Sequence, residues 1–428
     1  MTDGRDLLDG RAASSRRGLP DRLWVPALAA LVIALAFVGA LLVRADGDVS
    51  LLVHAGPPWT SADEARGSLT VQAADEAFDG QFFYRLGIDP WSTEETVDGV
   101  TFDLPALRNA RWGYGALAFV ASAGDPDLVP WALVGINVVA FAAVGALGGA
   151  LAQGLGRHAA WGLLLALWPG FAYSLSMDTS ELVASAFLLA GLLAVRRRAW
   201  ALAALGFTAA VLTRDTTAAV PFGVAVAGAW TWWSAGRSTT TPDVAVEPAQ
   251  RSSEQQGSPR ARRAVGLGQV VAGAVPLVAF GVWQLVQRSR FGELPLTSSG
   301  DNNLSAPMIG LADQLGELAP PSGGEEAFRL LCIFGLWALI VAAAFWWWRS
   351  STPIQERVAW LPTVLVVAMI NDYLWSGATA FARAATEAGL LSILVILGTR
   401  RRLVLPATAL GLAGFFALTA VAHLSKLG

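Results

Sequence analysis

The sequence predicts an all-α fold, a polytopic membrane helical bundle of about 11 spans with a long helical first extracytoplasmic loop. Three observations predict it. Of the 428 residues, 54% are hydrophobic and only 15% are charged, against about 25% charge in a soluble domain. Five apolar runs, at 24–43, 129–152, 267–286, 331–348 and 403–422, approach the ~20 residues that cross a bilayer. Arginines recur between the runs at alternate loops, as the positive-inside rule requires.

The expected spans are 24–43, 129–153, 159–176, 180–195, 199–213, 216–234, 265–287, 328–348, 358–375, 383–398 and 402–424. With residues 1–23 as a cytoplasmic tail, Arg157, Arg196–Arg198, Arg260, Arg262, Arg263, Arg349, Arg357 and Arg400–Arg402 all fall inside. Arg16-Arg17 before an apolar run resembles an export signal, but without a small-x-small cleavage site it reads as an uncleaved anchor. Residues 24–234 form an N-terminal membrane part that includes the outer loop 44–128. Residues 265–428 form a C-terminal part with the outer loop 288–327. The Ser-, Pro- and Gln-rich linker 235–264 between them carries too little apolar surface to fold. Residues 111–123 are too short for a comfortable span and are expected to lie as an interfacial or re-entrant helix on the outer side.

Composition also excludes functions. A net charge of −3 gives no reason for nucleic acid as a partner. Cys332 is the single cysteine, so there is no disulfide framework, and His54, His158 and His423 are far apart in sequence, which argues against a histidine-ligated metal centre. No cofactor follows from the residues; a divalent cation is compatible with the acidic cluster described next. Lys426 is the only lysine, the rest of the basic charge being arginine.

Acidic residues gather on the predicted outer side, where ionisable groups at membrane depth point to function because they cost about 2.5–3.5 kcal/mol each to insert. The densest cluster is Asp75-Glu76-Ala77-Phe78-Asp79-Gly80-Gln81-Phe82-Phe83-Tyr84. Asp79 sits on a tight turn that opens an amphipathic helix. A carboxylate and an amide beside aromatic rings form a plausible sugar site through Asp79, Gln81, Phe82 and Tyr84, while the alternative makes Asp79 a helix cap and the aromatics an interfacial belt. Asp178 and Glu181, three apart before an apolar run, read as a capping box that can also line a site. Arg214-Asp215 interrupts an apolar stretch, either as a phosphate-binding arginine or as a neutralised pair. Arg383 stands alone at the same depth with Glu387 one turn on. Arg108 and Arg111 precede the 111–123 helix and suit lipid headgroups.

Phe78-Asp79-Gly80-Gln81-Phe82-Phe83-Tyr84, followed by Arg108-Asn109-Ala110-Arg111-Trp112-Gly113-Tyr114, resembles the glycosyltransferase-C superfamily, and within it the bacterial relatives of GPI mannosyltransferases. The entry Thr179-Ser180-Glu181 is also similar. The motifs cover about a tenth of the chain; elsewhere the likeness is one of layout. The resemblance implies an extracytoplasmic transfer of a mannose-like sugar from a polyprenyl-phosphate donor to a lipid, glycan or protein acceptor. Asp79 is then the general base, Asp75 and Glu76 assist it, and Arg108, Arg111, Tyr114, Asp178, Glu181, Arg214 and Arg383 bind substrate with the Gln81–Tyr84 stretch. One departure is Gly115, where the family pattern has a proline after the tyrosine. The rival reading is a multi-pass transporter or flippase for a lipid-linked or small polar substrate, which calls for broken helices in paired positions; no internal repeat is evident in the sequence.

Overall fold

A computed structural model describes residues 21–73, 76–237, 258–298, 303–318, 320–401 and 403–426. The described part of the chain is largely helical. Its elements are α1 (Trp24–Arg44), α2 (Gly80–Ile88), α3 (Pro105–Ala110), α4 (Trp112–Ser122), α5 (Val129–Gln153), α6 (Leu163–Ala166), α7 (Gly170–Ser176), α8 (Glu181–Arg196), α9 (Trp200–Thr213) and α10 (Ala219–Ala235). After the linker come α11 (Pro259–Phe291), α12 (Pro295–Ser298), α13 (Ile309–Leu318), α14 (Gly324–Trp346), α15 (Ile354–Ala368), α16 (Asp372–Trp375), α17 (Ala378–Ala384), α18 (Thr386–Leu397) and α19 (Val404–Lys426).

Each of the eleven expected spans is largely helical, but length divides them. Five helices, α1, α5, α11, α14 and α19, are long and apolar enough to cross a membrane. The count rises to seven if two bent pairs each make one span: residues 159–176, broken by 67°, and 378–397, broken by 59°. The faces turned outward are what a bilayer accepts. On α11, Val271, Val275, Val278 and Val282 recur at helical spacing and are all exposed, a stripe with no use in water but a natural one in lipid. The described residues thus fit a multi-pass membrane protein.

The 44–128 loop is more than a string of helices. It includes a two-stranded hairpin, β1 (Thr96–Val97) and β2 (Val100–Thr101), which turns at Asp98-Gly99 with both residues at positive φ, the signature of a tight hairpin turn. The linker is shorter than expected, since α10 continues to Ala235 and α11 starts at Pro259; residues 238–257, on which the expectation of disorder falls, lie outside the described residues. Helix α4 packs on α2 and α5 and belongs to the loop's packed layer.

Two glycines explain how closely that layer packs. A Cβ on Gly80 would stand 2.3 Å from the Val53 carbonyl oxygen and 2.7 Å from that of Met177. Gly80 therefore lets the start of α2 sit between the loop's first turn and the end of α7. A Cβ on Gly115 would lie 2.2 Å from Leu86 Cβ, so the position where a proline is expected has no room for any side chain: α4 crosses α2 there. Overpacking of this kind costs about 1–3 kcal/mol. Gly115→Ala is expected to lower thermal stability in detergent by that order, through separation of α2 and α4, while an alanine at open Gly39 leaves the midpoint unchanged. Equal behaviour of the two variants would contradict the tight crossing.

Candidate functional site

Five chain segments distant in sequence meet at one end of the bundle: the start of α2, the 103–111 stretch around α3, the 174–181 and 213–216 corners, and the break between α17 and α18. What joins them is a continuous chain of charges. Asp79 Oδ1 accepts from Arg108 Nη1 at 2.9 Å and Asp79 Oδ2 from Arg383 Nη2 at 2.8 Å. Arg108 is also gripped bidentately by Asp103, at 2.7 and 2.6 Å. Beyond Asp79, Arg383 Nε donates to Glu181 Oε1 at 2.7 Å, and Arg214 Nη1 donates to the same oxygen. Arg214 reaches on toward Glu387 at 3.5 Å and donates to Thr216 and to the Arg383 carbonyl. Arg111 pairs separately with Asp215 at 3.3 Å.

Exposure falls along this chain. Asp79 and Asp103 keep 21% and 19% of their side-chain surface open, Arg108 keeps 14%, Arg383 8% and Glu181 none. The network is thus anchored in the protein at Glu181 and opens to the outside at Asp79. Glu181 is held by four donors, since Ser174 and Thr179 hydroxyls also reach its Oε2. Burial pushes the Asp79 carboxyl up, but the guanidiniums of Arg108 and Arg383 outweigh it and hold the group well below the usual carboxylate range. The same neighbours, Asp79 and Asp103, raise Arg108 against its own burial. Aromatic rings fix the guanidinium planes: Arg108 lies 4.2 Å over Phe82 and Arg383 4.8 Å over Phe78.

Several expectations change. Asp79 does stand at the N-cap of α2 but makes no capping bond; its carboxylate goes to the arginines instead. Asp178 and Glu181 form no capping box. Ser180 holds the N-cap position of α8 without a side-chain bond, and Glu181 points into the network because two buried guanidiniums outcompete a backbone amide. Asp178 takes a left-handed backbone with φ 45°, is fully buried, and finds no hydrogen-bond partner for either oxygen among the described residues; it joins no arginine. Arg214 and Asp215 are not a mutual pair, because the corner between α9 and α10 sends them to Glu181 and Arg111. Arg383 does not pair with Glu387 one turn on: the break at Ala385 separates their directions.

The aromatic stretch after Asp79 is turned to the loop's own architecture. Gln81 is buried, and its Oε1 accepts from Thr60 at 2.7 Å and Gly56 at 3.3 Å. Phe82 gives a face to Arg108, and Tyr84 is fully buried with its hydroxyl on Asp98 at 2.6 Å. Tyr114 is likewise core, donating to the Leu133 carbonyl at 2.9 Å and accepting from Asn137. Glu76 is exposed, and its backbone carbonyl meets His54 Nδ1 at 2.9 Å; among the described residues its carboxylate takes no part in the network. Asp75 lies outside the described residues. Sequence reasoning left Asp103, Asp215 and Glu387 out of the site. The signal for Asp103 is its place five residues before Arg108, across the Leu104-Pro105 start of α3.

Beside the network lies an apolar cavity of about 310 Å³, lined among others by Trp168, Tyr173, Leu336, Phe381, Ala382 and Phe415. Its lining residue Ala382 adjoins Arg383 in the chain, on α17. Asp79 itself does not line it. No group of three or more His, Cys, Asp or Glu among the described residues is arranged to hold a metal ion. Comparison with protein families and with curated proteins returned no match.

Two outcomes are expected. Glu181→Gln removes the shared acceptor of two buried guanidiniums and should cost about 3–5 kcal/mol, read as a fall in detergent-solubilised stability; a loss below about 1 kcal/mol contradicts its role as hub. Asp79 has a folded pKa below its unfolded value near ~3.9, so its ionised pairing stabilises the fold above that value and the contribution is lost as pH falls through the folded pKa. The stability gap between wild type and Asp79→Asn should therefore stay constant from about pH 8 to 5 and narrow only in stronger acid. A gap that closes near neutrality contradicts the ion pairing.

Proposed function

We propose that this chain is a membrane glycosyltransferase of the glycosyltransferase-C type. It moves a mannose-like sugar from a polyprenyl-phosphate donor to a lipid, glycan or protein acceptor at the extracytoplasmic face. The observation that carries the reading is Asp79 shared between Arg108 and Arg383, with Arg383 one residue from the apolar cavity. A lipid phosphate needs guanidiniums at headgroup depth and an apolar berth beside them, and a glycosyl acceptor needs a carboxylate within reach of its hydroxyl. The positive-inside pattern supports an N-terminus in the cytoplasm, eleven crossings and a site facing outward.

In the reaction the acceptor oxygen attacks the anomeric carbon from the face opposite the phosphate. The carbon–oxygen bond to the phosphate breaks with its electron pair, and Asp79 takes the acceptor's proton. The charge that develops on the departing phosphate falls to Arg383 and Arg108, whose planar forks suit it. Doubly paired, Asp79 is a poor base. Binding of the donor phosphate to the same guanidiniums draws them off the carboxylate and raises its basicity where the acceptor waits. The network thus couples donor binding to activation of the base.

A transporter or flippase is the second reading, and one observation favours it: the two bent pairs, 159–176 and 378–397, pack against each other, as broken helices do in transporters. Radiolabelled sugar transfer from polyprenyl-phosphate donors in proteoliposomes separates the two. Asp79→Asn, at normal expression, is expected to lose activity by about 10²–10⁴-fold. Unimpaired transfer by that variant, or lipid translocation without transfer by the wild type, overturns the proposal.

A further inference from the structure

A second cavity lies at the opposite end of the bundle. Helix α8 measures the distance, since Glu181 opens it and Arg196 closes it fifteen residues on, roughly 22 Å along the axis. The cavity holds about 540 Å³ between the ends of α5 and α8, the start of α9, the first half of α11 and the entry to α15; Arg196, Arg197, Arg198, Trp200, Gln269 and Gln355 are among its lining.

Its three arginines are not equivalent. Arg196 is committed: Nε and Nη2 pair with Glu356 at 2.5 and 2.7 Å, and Nη1 donates to the Leu151 carbonyl at 2.6 Å. Arg197 and Arg198 are exposed and meet no carboxylate among the described residues. Across the cavity, Gln269 is only 5% exposed, and its Oε1 has no donor. It is pinned there because α10 and α11 cross at Gly228, where a Cβ would lie 2.7 Å from both Gln269 Cβ and the Gly266 oxygen. A buried acceptor left unmade costs about 1–3 kcal/mol, and two unpaired guanidiniums beside it attract an anion. One ligand satisfies both: a phosphate ester that also carries a hydroxyl.

We propose that this cavity binds the headgroup of a hydroxylated anionic phospholipid. Its phosphate lies between Arg197 and Arg198, and a headgroup hydroxyl donates to Gln269 Oε1. The position suits a lipid, because basic pockets between helices at the membrane surface are where anionic headgroups lodge. The site is remote from Asp79 and holds whether or not the chain transfers sugar.

The test uses the full chain in phosphatidylcholine nanodiscs, with phosphatidylglycerol added in one arm and soluble glycerol 3-phosphate in another, and reads the thermal midpoint. Either probe raising the midpoint of the wild type by several degrees, with the rise lost in Arg197→Gln/Arg198→Gln and reduced in Gln269→Leu, supports the site, and the active probe identifies whether its occupant is lipid or soluble. Both arginines are exposed, so their replacement leaves the basal midpoint in place. No rise with either probe, or an equal rise in the arginine variant, overturns the proposal.

Discussion

Everything at the Asp79 end of the molecule depends on one buried carboxylate taking two guanidiniums. Glu181 has no exposed surface, and Arg214 and Arg383 both donate to its Oε1. Two cations meeting one anion in a low-dielectric setting is a poor way to gain stability, because desolvation offsets most of the attraction. What the arrangement secures is position. Arg383 is fixed with a second edge free, and that edge meets Asp79. Glu387 and Thr216 balance the far side of Arg214, so the excess positive charge at Glu181 is distributed rather than left bare. The corner between α9 and α10 and the break at Ala385 then follow as necessities: a straight helix at either place would carry Arg214 or Arg383 away from Glu181.

From this anchor the rest of the site is derivative. Asp79 is reached by Arg383 from within and by Arg108 from the loop, and Asp103 orients Arg108. The 44–128 loop must therefore dock at a fixed height on the bundle. Gly80, Gly115 and the Gln81 contacts to Gly56 and Thr60 let the backbones come close enough for that docking. A carboxylate so placed is ionised, partly open and strongly held. The proposed function draws its mechanism from this competition: the phosphate and Asp79 want the same guanidiniums.

Much of the fold was legible in the sequence. Apolar runs located the five helices long enough to cross a membrane, α1, α5, α11, α14 and α19, and the turn chemistry of Asp79-Gly80 located the start of α2; the number of crossings was not settled by either. What could not be read was whether a short apolar segment is one helix or two. The break before α7 carries Pro169-Gly170, a dipeptide that punctuates helices but does not say whether a span bends or ends there; the break at Ala385 carries neither proline nor glycine and coincides with the pairing of Arg383 to Glu181 and Asp79. Individual residues of the network were legible by type and place: Arg214 and Arg383 as lone charges at membrane depth, Asp79 and Arg108 through their motifs in the outer loop, and Glu181 at the entry to a span. Their partners were not. The pairs Arg214–Asp215 and Arg383–Glu387 are the nearest in sequence and both are wrong, because the network joins residues up to 304 apart in the chain. The aromatic residues after Asp79 misled for a related reason. Their spacing suits a sugar platform equally well as a loop core, and burial, which only the fold supplies, decides for the core.

The proposed competition between Asp79 and the donor's phosphate for Arg108 and Arg383 is measurable in one comparison. The affinity of sugar-free polyprenyl phosphate is measured by native mass spectrometry for the wild type and for Asp79→Asn. If the competition is real, the neutral amide releases the two guanidiniums and the variant binds the lipid phosphate more tightly than the wild type while failing to transfer sugar. Equal or weaker binding by the variant would contradict the account.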